Sequence, residues 1–272
     1  MESFRLFLDD FSDAATNMAL DETLLQEQCK KDSIPSIRLY RWKPPALSVG
    51  YLQRIRDEVD LDICRKLGID YVRRLTGGKA VLHDDELTYS IIIPSSHKKM
   101  EGIGVVDSYR TISKALVRSL QLCGIMCEIA PKIVPSQARM GSKICFETPS
   151  TYEVMAGNKK IIGSAQTRDK GVILQHGSVP IDWDTEKMLD VMGIPIKGRK
   201  VYRERFNEKA TSISKELGHR IEFEDLIHCF VKGFEDTFKV DLIPSEYTKD
   251  EKNIASNLAT EKYASDNWNL RK

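Results

Sequence analysis

The stretch RRLTGGKAVLHDDELTYSIIIP, residues 73–94, contains the most informative pattern in the sequence. It follows the predicted strand Asp70–Arg73, combines two adjacent glycines with two arginines and a histidine, and ends in three isoleucines. Because β-branched residues favour strands, residues 87–94 are predicted to form one. A glycine pair lets backbone approach a ligand closely, since neither residue has a Cβ atom. For the glycine pair alone, a structural turn with solvated arginines is the preferred interpretation, and the segment matches neither a P-loop nor a dinucleotide fingerprint.

Hydrophobic periodicity predicts strands and helices on both sides of this stretch. Before it we expect a strand at 4–8, a helix over 13–29, a hairpin from 36–40 and 46–51, and a helix over 57–67 ended by Gly68. After it we expect a helix over 106–122, strands over 151–155, 160–166 and 172–179, and the amphipathic helix Phe223–Phe238. The pattern indicates a mixed α/β fold with a largely antiparallel sheet flanked by helices. We expect a single domain over 1–272, with 186–272 as a docked, mainly helical extension.

The composition is typical of a soluble globular protein. Hydrophobic residues make up 41% of the 272 residues and charged residues 30%. The 41 Lys and Arg balance 40 Asp and Glu, so the net charge of +1 creates no overall field for nucleic acid or anionic membranes. We therefore expect neither partner. The start lacks the features of a secretory signal and no run of about eighteen apolar residues occurs, so we expect a cytoplasmic protein.

The six cysteines are spread through the chain without paired CxxC motifs, so free thiols are expected. Cys123 and Cys127 lie four residues apart, but no second Cys/His pair accompanies them. No metal site is therefore predicted. Most of these cysteines are better interpreted as small core residues.

Several segments together resemble the lipoate/octanoate transferase and lipoate-protein ligase family, which shares a fold with biotin protein ligases. RRLTGGKAVLHD is similar to the family's Arg-Arg-x-Ser/Thr-Gly-Gly signature, and KKIIGSAQTR, residues 159–168, is similar to its Lys-x-x-Gly-x-Ala/Gln segment. The resemblance continues through NMALDETLL, RLYRWKPPALSVGYLQ and GVILQHGSVPID. It covers residues 1–185 and is specific, because two motifs occur in the family's order.

Departures from the family pattern favour a transferase over an ATP-dependent ligase. Ligases usually have a third glycine where this chain has Lys79, and a Gly-Asn pair where it has Glu86-Leu87. Octanoyltransferases of the ligase-like branch have a basic residue at the position of the third glycine. They also have a cysteine in an Ile/Val-Cys-Phe-x-x-Pro-Ser segment, which ICFETPS matches at Cys145. The resemblance implies that Cys145 carries an acyl thioester and that Lys160, the motif lysine, lowers the pKa of its thiol.

A cysteine and a lysine suit this chemistry. Exchange of one thioester for another conserves the activated acyl bond without ATP, but only the thiolate is nucleophilic. An ordinary thiol, with a pKa of about 8.5, is mostly protonated at neutral pH, and a cation that lowered this pKa by about two units would contribute about 2.7 kcal/mol. Without the resemblance, Cys145 would be a core residue and Lys160 a solvated hairpin lysine beside Lys159.

The resemblance also implies a substrate pocket. Gly77 and Gly78 are expected to line an apolar slot for the acyl chain, with Arg74, Thr76 and Ser90 at its polar entrance. Each buried methylene would contribute about 0.8 kcal/mol to binding. His83 and His176 are assigned to the pocket walls and not to base catalysis. The remaining predicted substrate-binding residues are Gly163, Ala165, Gln166 and Gly177.

The predicted reaction is transfer of an octanoyl group from octanoyl-acyl carrier protein, through Cys145, to a lysine of a lipoyl-domain protein. The glycine cleavage H protein is the acceptor that the resemblance implies. We expect no cofactor and a monomer. Three alternatives stay open, namely an ATP-dependent lipoate ligase, a lipoyl amidotransferase that takes the acyl group from a protein lysine, and a noncatalytic acyl-carrier-binding protein.

Overall fold

The computed structural model describes residues 2–30, 34–130 and 153–271. The strands are β1 (Glu2–Ser12), β2 (Ser36–Trp42), β3 (Ala46–Val49), β4 (Asp70–Arg73), β5 (Val81–His83), β6 (Glu86–Pro94), β7 (Glu128–Ile129), β8 (Val154–Ala156), β9 (Lys159–Asp169), β10 (Val172–Pro180) and β11 (Val240–Pro244). The helices are α1 (Ala14–Gln28), α2 (Ile55–Glu58), α3 (Leu61–Lys66), α4 (Val105–Leu122), α5 (Thr185–Val191), α6 (Arg199–Lys209), α7 (Ile213–Leu217), α8 (Phe223–Phe238), α9 (Lys249–Leu258) and α10 (Asp266–Asn269).

Eight strands form one large sheet in the order β11-β1-β2-β6-β10-β9-β8-β7. β1 pairs in parallel with β2 and β11, and the other neighbouring strands of this sheet are antiparallel. A small second sheet has the order β4-β3-β5. The predicted mixed α/β fold with a largely antiparallel sheet is confirmed.

Helices cover both faces of the large sheet. Ile91 and Ile93 of β6 belong to the cluster that includes the apolar sides of α4 and α8, whereas Ile92 packs with Leu24 and Leu25 of α1. Successive side chains on a strand point to opposite faces, so the isoleucine run supplies both cores at once. Among the described helices, none combines the length and apolar character that a membrane span needs.

The hairpin predicted from residues 36–40 and 46–51 is wrong. β2 lies between β1 and β6 in the large sheet, so both of its edges already have hydrogen-bonding partners. β3 instead pairs with β4 and β5 in the small sheet. Local sequence identified both strands, but the partners of each come from distant parts of the chain.

The single helix predicted over residues 57–67 is two short helices, α2 and α3. The break occurs at Asp60, whose carboxylate accepts hydrogen bonds from the backbone N–H groups of Asp62 and Ile63 and so caps α3. Gly68 follows α3 with a φ of +64°, in the left-handed conformation expected after a helix.

The C-terminal segment contributes to the main sheet, because β11 forms its edge beside β1. This five-residue strand was not predicted, since a short segment between two helices carries too little periodicity. The chain end is also held beside the glycine stretch by the buried guanidinium of Arg73. It donates to six carbonyl oxygens, those of Gly50, Tyr51, Gln53, Trp268, Asn269 and Arg271.

Candidate functional site

A cavity lies between the two sheets, and residues from separate motifs meet in its wall. Its empty space, including the opening to solvent, is about 430 Å³. Seven predicted substrate-binding residues line it, namely Arg74, Gly78, His83, Gly163, Ala165, His176 and Gly177. The apolar part of the wall is formed by Met18, Tyr40, Trp42 and Val81.

The β9–β10 pair forms one wall, and glycine is required there by close packing. Gly177 lies opposite Ser164 in the antiparallel register. A Cβ atom at Gly177 would lie 2.6 Å from a ring carbon of Tyr89 and 2.7 Å from the carbonyl oxygen of Gly163. Any larger residue would therefore push β9 and β10 apart at the cavity.

Residues 74–80, called the glycine loop, connect β4 to β5 and form the opposite wall. Arg74 holds this loop in place. The guanidinium Nη2 donates to the carbonyl oxygens of Gly77 at 2.9 Å and Lys79 at 2.7 Å. Gly78, between them, has a φ of +95°, which favours glycine. Gly50 packs against the same loop, since a Cβ atom there would lie 2.1 Å from the Gly78 carbonyl oxygen.

A buried hydrogen-bond chain runs from Arg74 to Asp21. Arg74 Nε donates to Thr76 Oγ1 at 3.2 Å, Thr76 Oγ1 lies 2.7 Å from His176 Nε2, and His176 Nδ1 lies 3.0 Å from Asp21 Oδ2. Burial lowers the pKa of His176. In the resulting neutral imidazole we assign the proton to Nδ1, because the Asp21 carboxylate needs a donor and Nε2 then accepts from the threonine hydroxyl.

The charge of Asp21 is maintained despite its burial. Burial opposes ionisation, but the hydrogen bond from His176 and the charge of Arg38 together hold the pKa of the Asp21 carboxyl below its ordinary value. The Ser90 hydroxyl also donates to this carboxylate, at 2.8 Å. The histidine therefore has a fixed orientation in the cavity wall.

A second, similar chain reaches Arg74 from the other side. Arg74 Nη1 donates to Ser48 Oγ at 3.1 Å, which lies 2.7 Å from His83 Nε2, and His83 Nδ1 lies 2.7 Å from Glu86 Oε1. The ring of Trp42 stacks on His83 with 4.2 Å between centroids. Two hydrogen-bonded series, each made of a hydroxyl, an imidazole and a carboxylate, thus meet at the Arg74 guanidinium. Together they fix the polar part of the cavity.

The remaining predicted substrate-binding residues lie outside the cavity wall. Thr76 contacts His176 and Ser90 donates to Asp21, so both support the His176–Asp21 pair from behind the wall. Gln166 accepts a hydrogen bond from Ser108 and donates one to Gln175. Gly77 borders a separate open cleft beside α1.

Lys160 lies at the start of β9, three residues before Gly163 in the cavity wall, which is about 10 Å along a strand. Its side chain is 5% exposed and its ammonium lies 2.5 Å from the carboxylate of Glu153. Cys145 lies outside the described residues. The catalytic roles of both stay predictions.

Sequence reasoning missed four polar residues of this site, namely Asp21, Ser48, Glu86 as a histidine partner, and Glu153. Asp21 carried a usable signal, because Met18, Leu24 and Leu25, three or four positions away on the predicted helix, are apolar. The other three become site residues only through strand pairing. No local pattern in the sequence reveals that pairing.

The fold and cavity define a class of protein, a mixed α/β domain whose cavity is lined by apolar residues and by a rigid polar group around Arg74. The lipoyl protein ligase A/B catalytic domain matches residues 13–235, and the chain belongs to this family.

Named relatives support the same assignment. "Octanoyltransferase LipM" of Brevibacillus brevis is 38% identical over 279 residues and covers 100% of both chains. The protein of the same name from Oceanobacillus iheyensis is 42% identical over 258 residues, covering 94% of this chain and 92% of its own. The solved bi-partite lipoate protein ligase of Thermoplasma acidophilum, from a study that includes its E2 lipoyl domain, has a TM-score of 0.81 at 27% identity, with 100% and 98% of the two chains covered. These findings confirm the family resemblance and extend it past residue 185.

Proposed function

We propose that the chain is an octanoyltransferase that acts in lipoate biosynthesis and modifies a lysine of a lipoyl-domain protein. The observation that carries this proposal is that residues of both family motifs line one shared cavity. The names of the full-length relatives support octanoyl as the group transferred. The presence of an E2 lipoyl domain in the system of the archaeal neighbour supports a lipoyl domain as acceptor.

The donor in this proposal is octanoyl-acyl carrier protein, and the glycine cleavage H protein is the acceptor. The Cys145 thiolate attacks the donor's thioester carbonyl, forms a new carbon–sulfur bond and expels the carrier's thiolate, which takes up a proton. The deprotonated acceptor amine then attacks the Cys145 thioester, forms the amide, loses one proton to solvent and releases the cysteine thiolate. Neither step consumes ATP, because the thioester supplies the activated acyl group.

The cavity holds the acyl chain in this mechanism. Met18, Tyr40 and Trp42 offer apolar surface from α1 and β2. Each methylene removed from water contributes about 0.8 kcal/mol, so an octanoyl chain gains several kcal/mol before the costs of binding. The rigid group around Arg74 keeps the opposite wall in place while the acyl chain is bound and released.

Lys160 supplies the positive charge near the thiol in this proposal. The ion pair with Glu153 gives it a defined position but also reduces its field. We therefore propose that the two residues together set how much of Cys145 is thiolate at neutral pH.

A turnover assay with purified carrier and acceptor proteins tests the proposed reaction. Octanoyl-acyl carrier protein should octanoylate the H protein at the same rate with and without ATP, and free octanoate with ATP should give no product. Strict dependence on ATP and free acid would establish a ligase instead. Transfer only from an octanoylated protein lysine would establish an amidotransferase, and binding without turnover would contradict catalysis altogether.

A further inference from the structure

A strongly basic surface lies next to Lys160. Residues 197–215 contain seven Lys and Arg against two Glu, a net charge of +5 in a chain whose net charge is only +1. Three exposed residues of this segment, separated by eight and four positions, are basic, namely Lys197, Arg205 and Lys209. Val201, between the first two, is 58% exposed. These four residues are called the basic ridge.

The orientation of α6 brings the basic ridge to the surface. Phe206 is 1% exposed and packs into the core with Trp183, whereas Val201, Arg205 and Lys209 of the same helix are exposed to solvent. Ile196, immediately before the ridge, is 84% exposed. Apolar side chains surrounded by charged ones are typical of a protein interaction surface.

The charges of the basic ridge are not used within the described part of the fold. Arg199 pairs with Asp190, and Arg203 pairs with Glu186. In contrast, Lys197, Arg205 and Lys209 form no ion pair within residues 2–30, 34–130 and 153–271. They are therefore available to an acidic partner.

The basic ridge is joined directly to the strand that carries Lys160. α6 ends at Lys209, and the next residue, Ala210, forms a parallel β-bridge with Lys160. The backbone N–H of Thr211 donates to the carbonyl oxygen of Lys160 at 3.0 Å. A partner bound to the ridge would thus lie near Lys160, which precedes Gly163 of the cavity wall by three residues on β9.

We propose that the basic ridge docks the acyl carrier protein through an acidic face of that donor, an inference that rests on the proposed function. The donor's acyl group is attached through a phosphodiester, which is anionic and is attracted to this surface. The acceptor instead presents a lysine ammonium, which the same charges repel. Charge complementarity therefore assigns the ridge to the donor.

Charge reversal on the basic ridge tests the proposal. The variant Lys197→Glu/Arg205→Glu/Lys209→Glu should raise KM for octanoyl-acyl carrier protein by about tenfold or more and leave kcat/KM for octanoyl-pantetheine, a small uncharged thioester, within about twofold. The matched control, Lys66→Glu/Lys249→Glu/Lys252→Glu, makes the same charge change at exposed positions elsewhere and should alter neither value. Rising ionic strength should weaken wild-type turnover of the carrier substrate but not that of octanoyl-pantetheine.

Each other outcome overturns the proposal in a distinct way. An unchanged KM for the carrier substrate shows that the ridge does not dock it, and an equal loss with octanoyl-pantetheine shows an effect on the pocket. A rise in KM for the acceptor alone assigns the ridge to the lipoyl domain. Absence of wild-type turnover with both thioesters instead rejects the proposed function. Direct binding of fluorescently labelled octanoyl-carrier protein then still reports whether the two variants differ.

Discussion

Replacing Gly78 with alanine should disturb the cavity through Arg74 while leaving the protein folded. A Cβ atom at this position would lie 2.9 Å from Arg74 Nη2 and 4.0 Å from the Cβ of Ala165. Because Nη2 holds the carbonyls of Gly77 and Lys79, a displaced guanidinium would release one side of the glycine loop. Acyl loading should therefore slow.

The expected loss of stability combines two effects. The left-handed backbone, with a φ of +95°, costs an alanine about 1–2 kcal/mol. Loss of one hydrogen bond from a charged donor costs about 1.5–3 kcal/mol. Their sum, about 2.5–5 kcal/mol, is below the range of about 5–15 kcal/mol typical of folded domains, so Gly78→Ala should be destabilised but folded.

Gly171→Ala is the matched control, because it shares the backbone strain without the contact. Gly171 has a φ of +81°, and no neighbouring atom lies within 4 Å of an added Cβ. Urea unfolding should show a loss of about 1–2 kcal/mol for Gly171→Ala and a larger loss for Gly78→Ala. Rapid-quench acyl loading should be normal for the control and at least about tenfold slower for Gly78→Ala. Equal stabilities and equal loading rates in the two variants would refute the role given to the Arg74 contact.

Three further predictions concern charged groups. Lys160→Met should raise the pKa of the Cys145 thiol and Glu153→Gln should lower it, because the carboxylate offsets part of the ammonium's field. The pH dependence of alkylation measures both pKa changes. Changes of the same sign in the two variants would contradict the proposed opposition of Lys160 and Glu153. Burial lowers the pKa of His176, so the folded state binds fewer protons than the unfolded state and stability should fall as pH drops below about 6.5. This loss should be smaller in His176→Gln. An equal fall of the unfolding temperature with pH in the wild type and the variant would count against the prediction. Arg73→Lys should lower the free energy of unfolding by at least about 3 kcal/mol, since lysine has only three donors for six carbonyls. Unchanged amide exchange in residues 50–53 and 268–271 would show that Arg73 does not hold these two segments together.

Local patterns were sufficient for most elements of the fold. The isoleucine run identified β6, and the periodicity of residues 223–238 identified α8 with the bounds observed. The hairpin between β2 and β3 failed because alternation shows that a segment is a strand but not which strand it pairs with. Pairing depends on contacts between residues far apart in sequence.

The same distinction applies to the site. The glycine motif and the motif of β9 and β10 identified residues that line one cavity. The role of Ser48 could not be predicted, because a serine in a strand acquires it only when a distant histidine packs against it. The sequence around Asp21 signalled a buried acid but not its histidine partner. Motifs thus located the cavity, whereas its hydrogen bonds required the tertiary structure.

The most direct test of the account is whether the acyl group rests on one particular sulfur. Intact-protein mass spectrometry with peptide mapping, after rapid mixing with octanoyl-acyl carrier protein, should find one octanoyl group on Cys145. Addition of the acceptor should discharge it, and Cys145→Ala should show neither the adduct nor transfer. Full-rate transfer to the acceptor by Cys145→Ala, or by a wild-type protein that never becomes acylated, would contradict the account.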